Sequence, residues 1–158
     1  MNYHKSPKNF AILLHFIIRK SSKHFNIFKE RHKIVNLKRS GSLPDIRTVG
    51  WRGDSGLTDG CDVGEDLTGG WYDAGDHVKF GLPMAWSTTT LVWGMIDFKK
   101  SYQSAWAYKK GLEQVKWTLD YFVKCHTDKF TFYVQVGDGN ADHAFWGRAE
   151  DMTMQRKS

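Results

Sequence analysis

Residues 66–76 read Asp66-Leu67-Thr68-Gly69-Gly70-Trp71-Tyr72-Asp73-Ala74-Gly75-Asp76. Two carboxylates three residues apart follow a pair of bulky aromatics and enclose two small residues. Ala74 and Gly75 let the backbone turn tightly and admit a ligand, while nearby carboxylates can hold a water between them and accept its proton. The same spacing also suits an Asx-turn, a helix cap or a cation ligand, and the chemistry alone leaves these readings open.

The segment around this stretch has the same character. Gly53, Gly56, Gly60, Gly64, Gly69, Gly70, Gly75 and Gly81 interrupt it too often for a long helix or strand, which predicts a loop-built surface rich in aspartate. Trp51, Leu57, Val63, Leu67, Trp71, Tyr72, Val78 and Phe80 supply apolar anchors that argue against disorder. Downstream, Leu91, Met95 and Phe98 recur at helical spacing and predict a helix over about 84–100. A second helix is expected from Ser104 as N-cap, with Tyr108, Leu112, Val115, Leu119 and Phe122 on one face. Thr131 to Val136 reads as a short strand, and Gly137-Asp138-Gly139-Asn140 as the turn that ends it. In that turn a calcium loop of the EF-hand type fails, because its sixth and twelfth places hold His143 and Ala149. The Asp142-His143 pair could orient an imidazole toward a substrate hydroxyl or simply satisfy the turn.

Composition bounds the rest. With 158 residues, 41% of them hydrophobic and 15% aromatic, the chain has material for one packed domain. The net charge of +6 suggests nucleic acid until it is split: residues 1–47 carry +9 and residues 48–158 carry −3. A basic leader precedes a mildly acidic body, so the high pI says little about the body's partner and gives no ground to expect nucleic acid. Phe10 to Ile18 is apolar behind Lys5 and Lys8, which suits a secretory signal core and is too short to span a membrane. Cys61 and Cys125 lie in no metal-ligand spacing, and one bridge or two free thiols are both compatible with them. No Walker loop, GxSxG or HExxH occurs, which leaves nucleotide, serine-hydrolase and zincin chemistry without support.

Several blocks, in order, resemble the catalytic domain of family 9 glycoside hydrolases, the endoglucanases, and look most like the animal members. They are Arg39-Ser40-Gly41 with Leu43-Pro44, Trp51-Arg52-Gly53-Asp54-Ser55, the run from Asp66 through Asp76 to Met84, and Trp117-Thr118-Leu119-Asp120-Tyr121. Gln135-Val136-Gly137-Asp138-Gly139-Asn140-Ala141-Asp142-His143, Trp146-Gly147-Arg148 and Glu150-Asp151-Met152 complete the set. The resemblance covers residues 39–158. It implies an all-α fold, the N-terminal part of an (α/α)6 barrel with long Gly/Asp-rich loops and a short β-hairpin-like segment. It also implies inverting hydrolysis of internal β-1,4-glucosidic bonds in cellulose or related β-glucans, which places acid and base roughly 6.5–9.5 Å apart. By the same resemblance Asp76 is the general base, Asp73 helps hold the nucleophilic water, His143 contacts the sugar near the cleavage point and Trp146 lies beside the cleft. The resemblance brings no cofactor, no metal, a polysaccharide partner, a secreted location and a monomer when complete.

Three departures from the family pattern set further expectations. The family's acid, a Glu near the end of its domain, has no counterpart here, and Glu150 stands at a different motif position. Residues 39–158 are therefore expected to be an incomplete catalytic domain, inactive alone, with a non-catalytic carbohydrate-binding protein as the alternative. Residues 1–38 form a basic leader unlike the helix and Phe-Glu-Ala-Gln run of the family. Ala149 replaces the family's usual Pro, a change in backbone freedom more than in chemistry.

Overall fold

The computed structural model describes residues 37–44 and 50–158; the leader, with its signal-like stretch, lies outside them save for Leu37 and Lys38. Its elements are β1 (Lys79–Phe80), α1 (Gly81–Asp97), α2 (Lys99–Ser104), α3 (Tyr108–Cys125), β2 (Gln135–Val136), α4 (Gly139–His143) and a 3-10 turn at Ala149–Asp151. No described helix is long and apolar enough to cross a membrane.

The first helix starts three residues before the expected Met84. Pro83 falls in its first turn, where the missing N–H would have no intrahelical acceptor in any case, so proline does not delay the start. The helix also ends sooner than expected, because Phe98 leaves the helical region at φ −116°, ψ 29°, and α2 begins after it. Ser104 is not the N-cap of the next helix. It is the last residue of α2, where its hydroxyl donates back to Lys100 O at 2.8 Å, and Trp106 turns the chain at φ 54° before α3 begins at Tyr108.

α3 is amphipathic as expected, but its buried face is rotated by about one residue. Gly111, Gln114, Val115, Thr118, Tyr121 and Cys125 face inward, while Leu112 and Leu119 stay about half exposed. Small residues at the α1 contact decide the rotation. A Cβ at Gly111 would lie 2.8 Å from Met95 Sδ, and Thr118 Oγ1 lies 3.0 Å from Thr88 Oγ1. Leu91 packs against two apolar clusters, one built on Leu67, Trp71, Met84, Tyr121, Cys125 and Val136, the other on Met95, Tyr102, Ala107 and Val115.

The expected strand over 131–136 shortens to β2, and its partner is β1 rather than a neighbouring segment. Lys79 pairs with Val136 and Phe80 with Gln135, antiparallel. The hairpin-like feature is the bridge from Asp128 to Thr131. The β1 pairing joins the end of the Asp73–Asp76 loop to the segment leading into Asp142 and His143. Beneath the loop, Gly70 at φ 72° packs so tightly on α3 that a Cβ there would meet the Tyr121 ring at 2.8 Å.

Candidate active site

The loop is a hydrogen-bonded turn. Asp76 N donates to Asp73 O at 2.8 Å, and Asp73 N donates to Val78 O at 2.9 Å, closing the loop at its stem. The left-handed backbone falls on Ala74, φ 27°, and not on the adjacent glycine. A non-glycine residue in that region stores strain, which persists here because both ends of the turn are tied down.

Two predicted site residues converge. His143 Nε2 lies 3.5 Å from Asp76 Oδ1, with the imidazole largely exposed and the carboxylate partly so. The expected turn over 137–140 positions this histidine as the start of a helix, since Asp138 is the N-cap of α4 and accepts from Ala141 N at 2.8 Å. Asp73 stands at the other end of the turn, and Trp146 is fully exposed beyond α4.

Sequence reasoning did not single out the pair that stiffens this arrangement. Buried Asp142 accepts from His77 N at 3.0 Å through Oδ1, and His77 Nδ1 lies 3.1 Å from the same oxygen. A carboxylate can only accept, so Nδ1 carries the proton. The imidazole is held edge-on between Tyr72 and Phe145, each with centroids 5.8 Å away. The available signal was position, since His77 follows Asp76 and Asp142 precedes His143. Asp76, Asp142 and His143 also place ligand-type atoms within 4.8 Å of one another. Asp73, on which a cation reading of the loop would depend, is not in that group.

The loop opens on a cavity of about 190 Å³ lined by Lys38, Trp51, Tyr72, Asp76, His77 and Glu150, among others. Burial pushes the Lys38 ammonium below its ordinary value, and the charges of Asp73 and Asp76 oppose that shift. Lys38 thus brings a positive charge to the carboxylate pair. Glu150 behaves differently. Burial alone would raise its pKa, but Gly53 N and Arg52 Nη1, each 2.5 Å from Oε1, hold it below the ordinary value of 4.5. A carboxyl kept ionised in this way is a poor proton donor.

The chain is similar to known proteins over most of its described length. The family model described as Glycosyl hydrolase family 9 matches residues 26–158, starting upstream of Arg39. Endoglucanase A of Bacillus pumilus is 59% identical over 119 residues, which are 75% of this chain and 18% of that protein. The endoglucanase of the termite Nasutitermes takasagoensis, solved at pH 2.5, superposes with a TM-score of 0.83 at 52% identity, over 87% of this chain and 32% of that one. Clostridium thermocellum CelQ, solved with cellobiose and cellotriose, gives a TM-score of 0.72 at 34% identity, over 82% of this chain and 21% of that one. The chain spans about a fifth of the length of the curated relatives it matches. Its fold is that of the N-terminal part of the (α/α)6-barrel endoglucanases, about a third of the solved chains, and the chain belongs to glycosyl hydrolase family 9.

Proposed function

We propose that these residues build the water-activating side of an endo-β-1,4-glucanase whose complete form cleaves cellulose or a related β-glucan with inversion. The observation that carries the reading is the tied turn that aims Asp76 into an open cleft with His143 Nε2 3.5 Å away. In the reaction, a water near Asp73 and Asp76 attacks the anomeric carbon while Asp76 takes its proton, and an acid on the opposite side protonates the leaving oxygen. His143 contacts the sugar at the cleavage point, and the exposed ring of Trp146 offers a stacking face for a sugar. The cellobiose and cellotriose bound to the similar CelQ support a cello-oligosaccharide in this cleft.

The acid lies outside residues 39–158 in this reading, since Glu150 is held ionised by Arg52 and Gly53. Residues 39–158 alone are therefore expected to be inactive. The complete protein is secreted and works as a monomer. Proton NMR of the complete enzyme hydrolysing cellotetraose tests the mechanism: the α-anomer is expected to appear first and then mutarotate. A β-anomer formed first contradicts inversion, and cello-oligosaccharide binding without any hydrolysis favours the non-catalytic carbohydrate-binding reading instead.

A further inference from the structure

The segment after the 3-10 turn is a strap across the foot of the water-activating loop. Gly137 N donates to Lys157 O at 2.7 Å, and Ser158 donates to Asp62 from both its N and its Oγ, at 2.8 and 2.9 Å. At its centre is Arg156. Its Nε and Nη2 grip Asp59 as a fork, at 2.5 Å to Oδ1 and 3.2 Å to Oδ2, and its guanidinium carbon lies 5.5 Å from the centroid of the Tyr72 ring. The remaining nitrogen, Nη1, donates to His77 O at 2.7 Å.

That carbonyl belongs to the residue after Asp76. Holding it fixes the peptide between His77 and Val78, and Val78 O is the acceptor that closes the loop on Asp73 N. The same residue's backbone N–H and imidazole face Asp142, so one anchored peptide sets the exit of the loop and the orientation of the Asp142–His77 pair together. Asp59 is fully buried and also takes Lys79 Nζ at 2.6 Å, while Lys79 Nζ donates onward to Leu67 O at 2.5 Å and Gly69 O at 3.1 Å. The anchor beneath Arg156 is therefore rigid. A planar guanidinium can satisfy Asp59 with two nitrogens and His77 O with the third, whereas an ammonium has no such fork.

We infer that Arg156, braced by Asp59, is a positioning residue that sets where Asp76 stands relative to the attacking water. This rests on the proposed role of Asp76, and the test separates the two. In the complete enzyme, Arg156→Lys is expected to keep KM for cellotetraose and a melting temperature within about 4 °C of wild type, while kcat falls roughly 10- to 100-fold. Arg156→Gln, which loses the charge as well as the fork, is expected to lower kcat at least as far as Arg156→Lys. Unchanged kcat in a folded Arg156→Lys enzyme, or failure of both variants to fold, would overturn the inference. If the wild-type enzyme itself turns nothing over, the catalytic reading fails. The positioning is then read on the 158-residue chain, by hydrogen exchange at the Asp76 amide. At least tenfold faster exchange in Arg156→Lys supports it, and equal exchange refutes it.

Discussion

The loop platform and the helical wall of this chain solve burial in opposite ways. Around residues 51–80 and 148–158 several charged groups are buried and paired: Asp59 bridges Lys79 and Arg156, and Glu150 is held by Arg52 and Gly53. On α1 and α3, beyond the face that builds the core, large apolar groups stay exposed, with Leu82, Trp86, Ile96 and Val123 each about 70–83% accessible. A charge buried in pairs is costly to break from one side, whereas an exposed apolar side chain loses little on truncation. The geometry of the Asp73–Asp76 loop is thus carried by contacts among the described residues, while the helices keep apolar faces that these contacts do not cover.

That contrast can be tested from the strong end to the weak. Asp59→Ala leaves Lys79 and Arg156 as buried, unpaired charges and is expected to cost about 3–5 kcal/mol, read as a lowered urea midpoint. A loss under about 1 kcal/mol would mean that the triad is dispensable. Glu150→Gln removes charge-assisted bonds from Arg52 and Gly53 and is expected to cost about 1–2 kcal/mol at neutral pH. Because the native Glu150 pKa lies below its ordinary 4.5, that stability is fully present above pH 4.5 and is lost as pH falls through the native value. Thermal melts between pH 7 and pH 3 should therefore converge for wild type and Glu150→Gln at the acid end. On the helical wall, Val123→Ser is expected to change stability by less than about 0.5 kcal/mol. A larger loss would place Val123 in a contact that these residues do not show.

The two regions also differ in how far they could be read from the sequence. The tight turn at Asp73–Asp76 was legible because Ala74 and Gly75 between two carboxylates favour it locally, whereas the roles of its residues came only from the family resemblance. His143 could be placed near Asp76 only through that resemblance, since 67 residues separate them. The strap was not foreseen, because Arg156 and Asp59 lie 97 residues apart and no local pattern announces a buried fork. On α3 both candidate faces carry apolar residues. The choice was made by Gly111 and Thr118, whose small size admits Met95 and Thr88, and an apolar stripe gives no weight to smallness. Ser104 misled for a related reason, since a serine can cap the next helix or bond back into its own, and here it does the latter.

The role given to Asp76 is decided by steady-state kinetics of Asp76→Asn in the complete enzyme on cellotetraose. The side chain keeps its volume and loses its ability to take a proton. The expected result is a fall in kcat of roughly 10²- to 10⁴-fold with KM and melting temperature near wild type. A kcat within tenfold of wild type would contradict the assignment of Asp76 as the base.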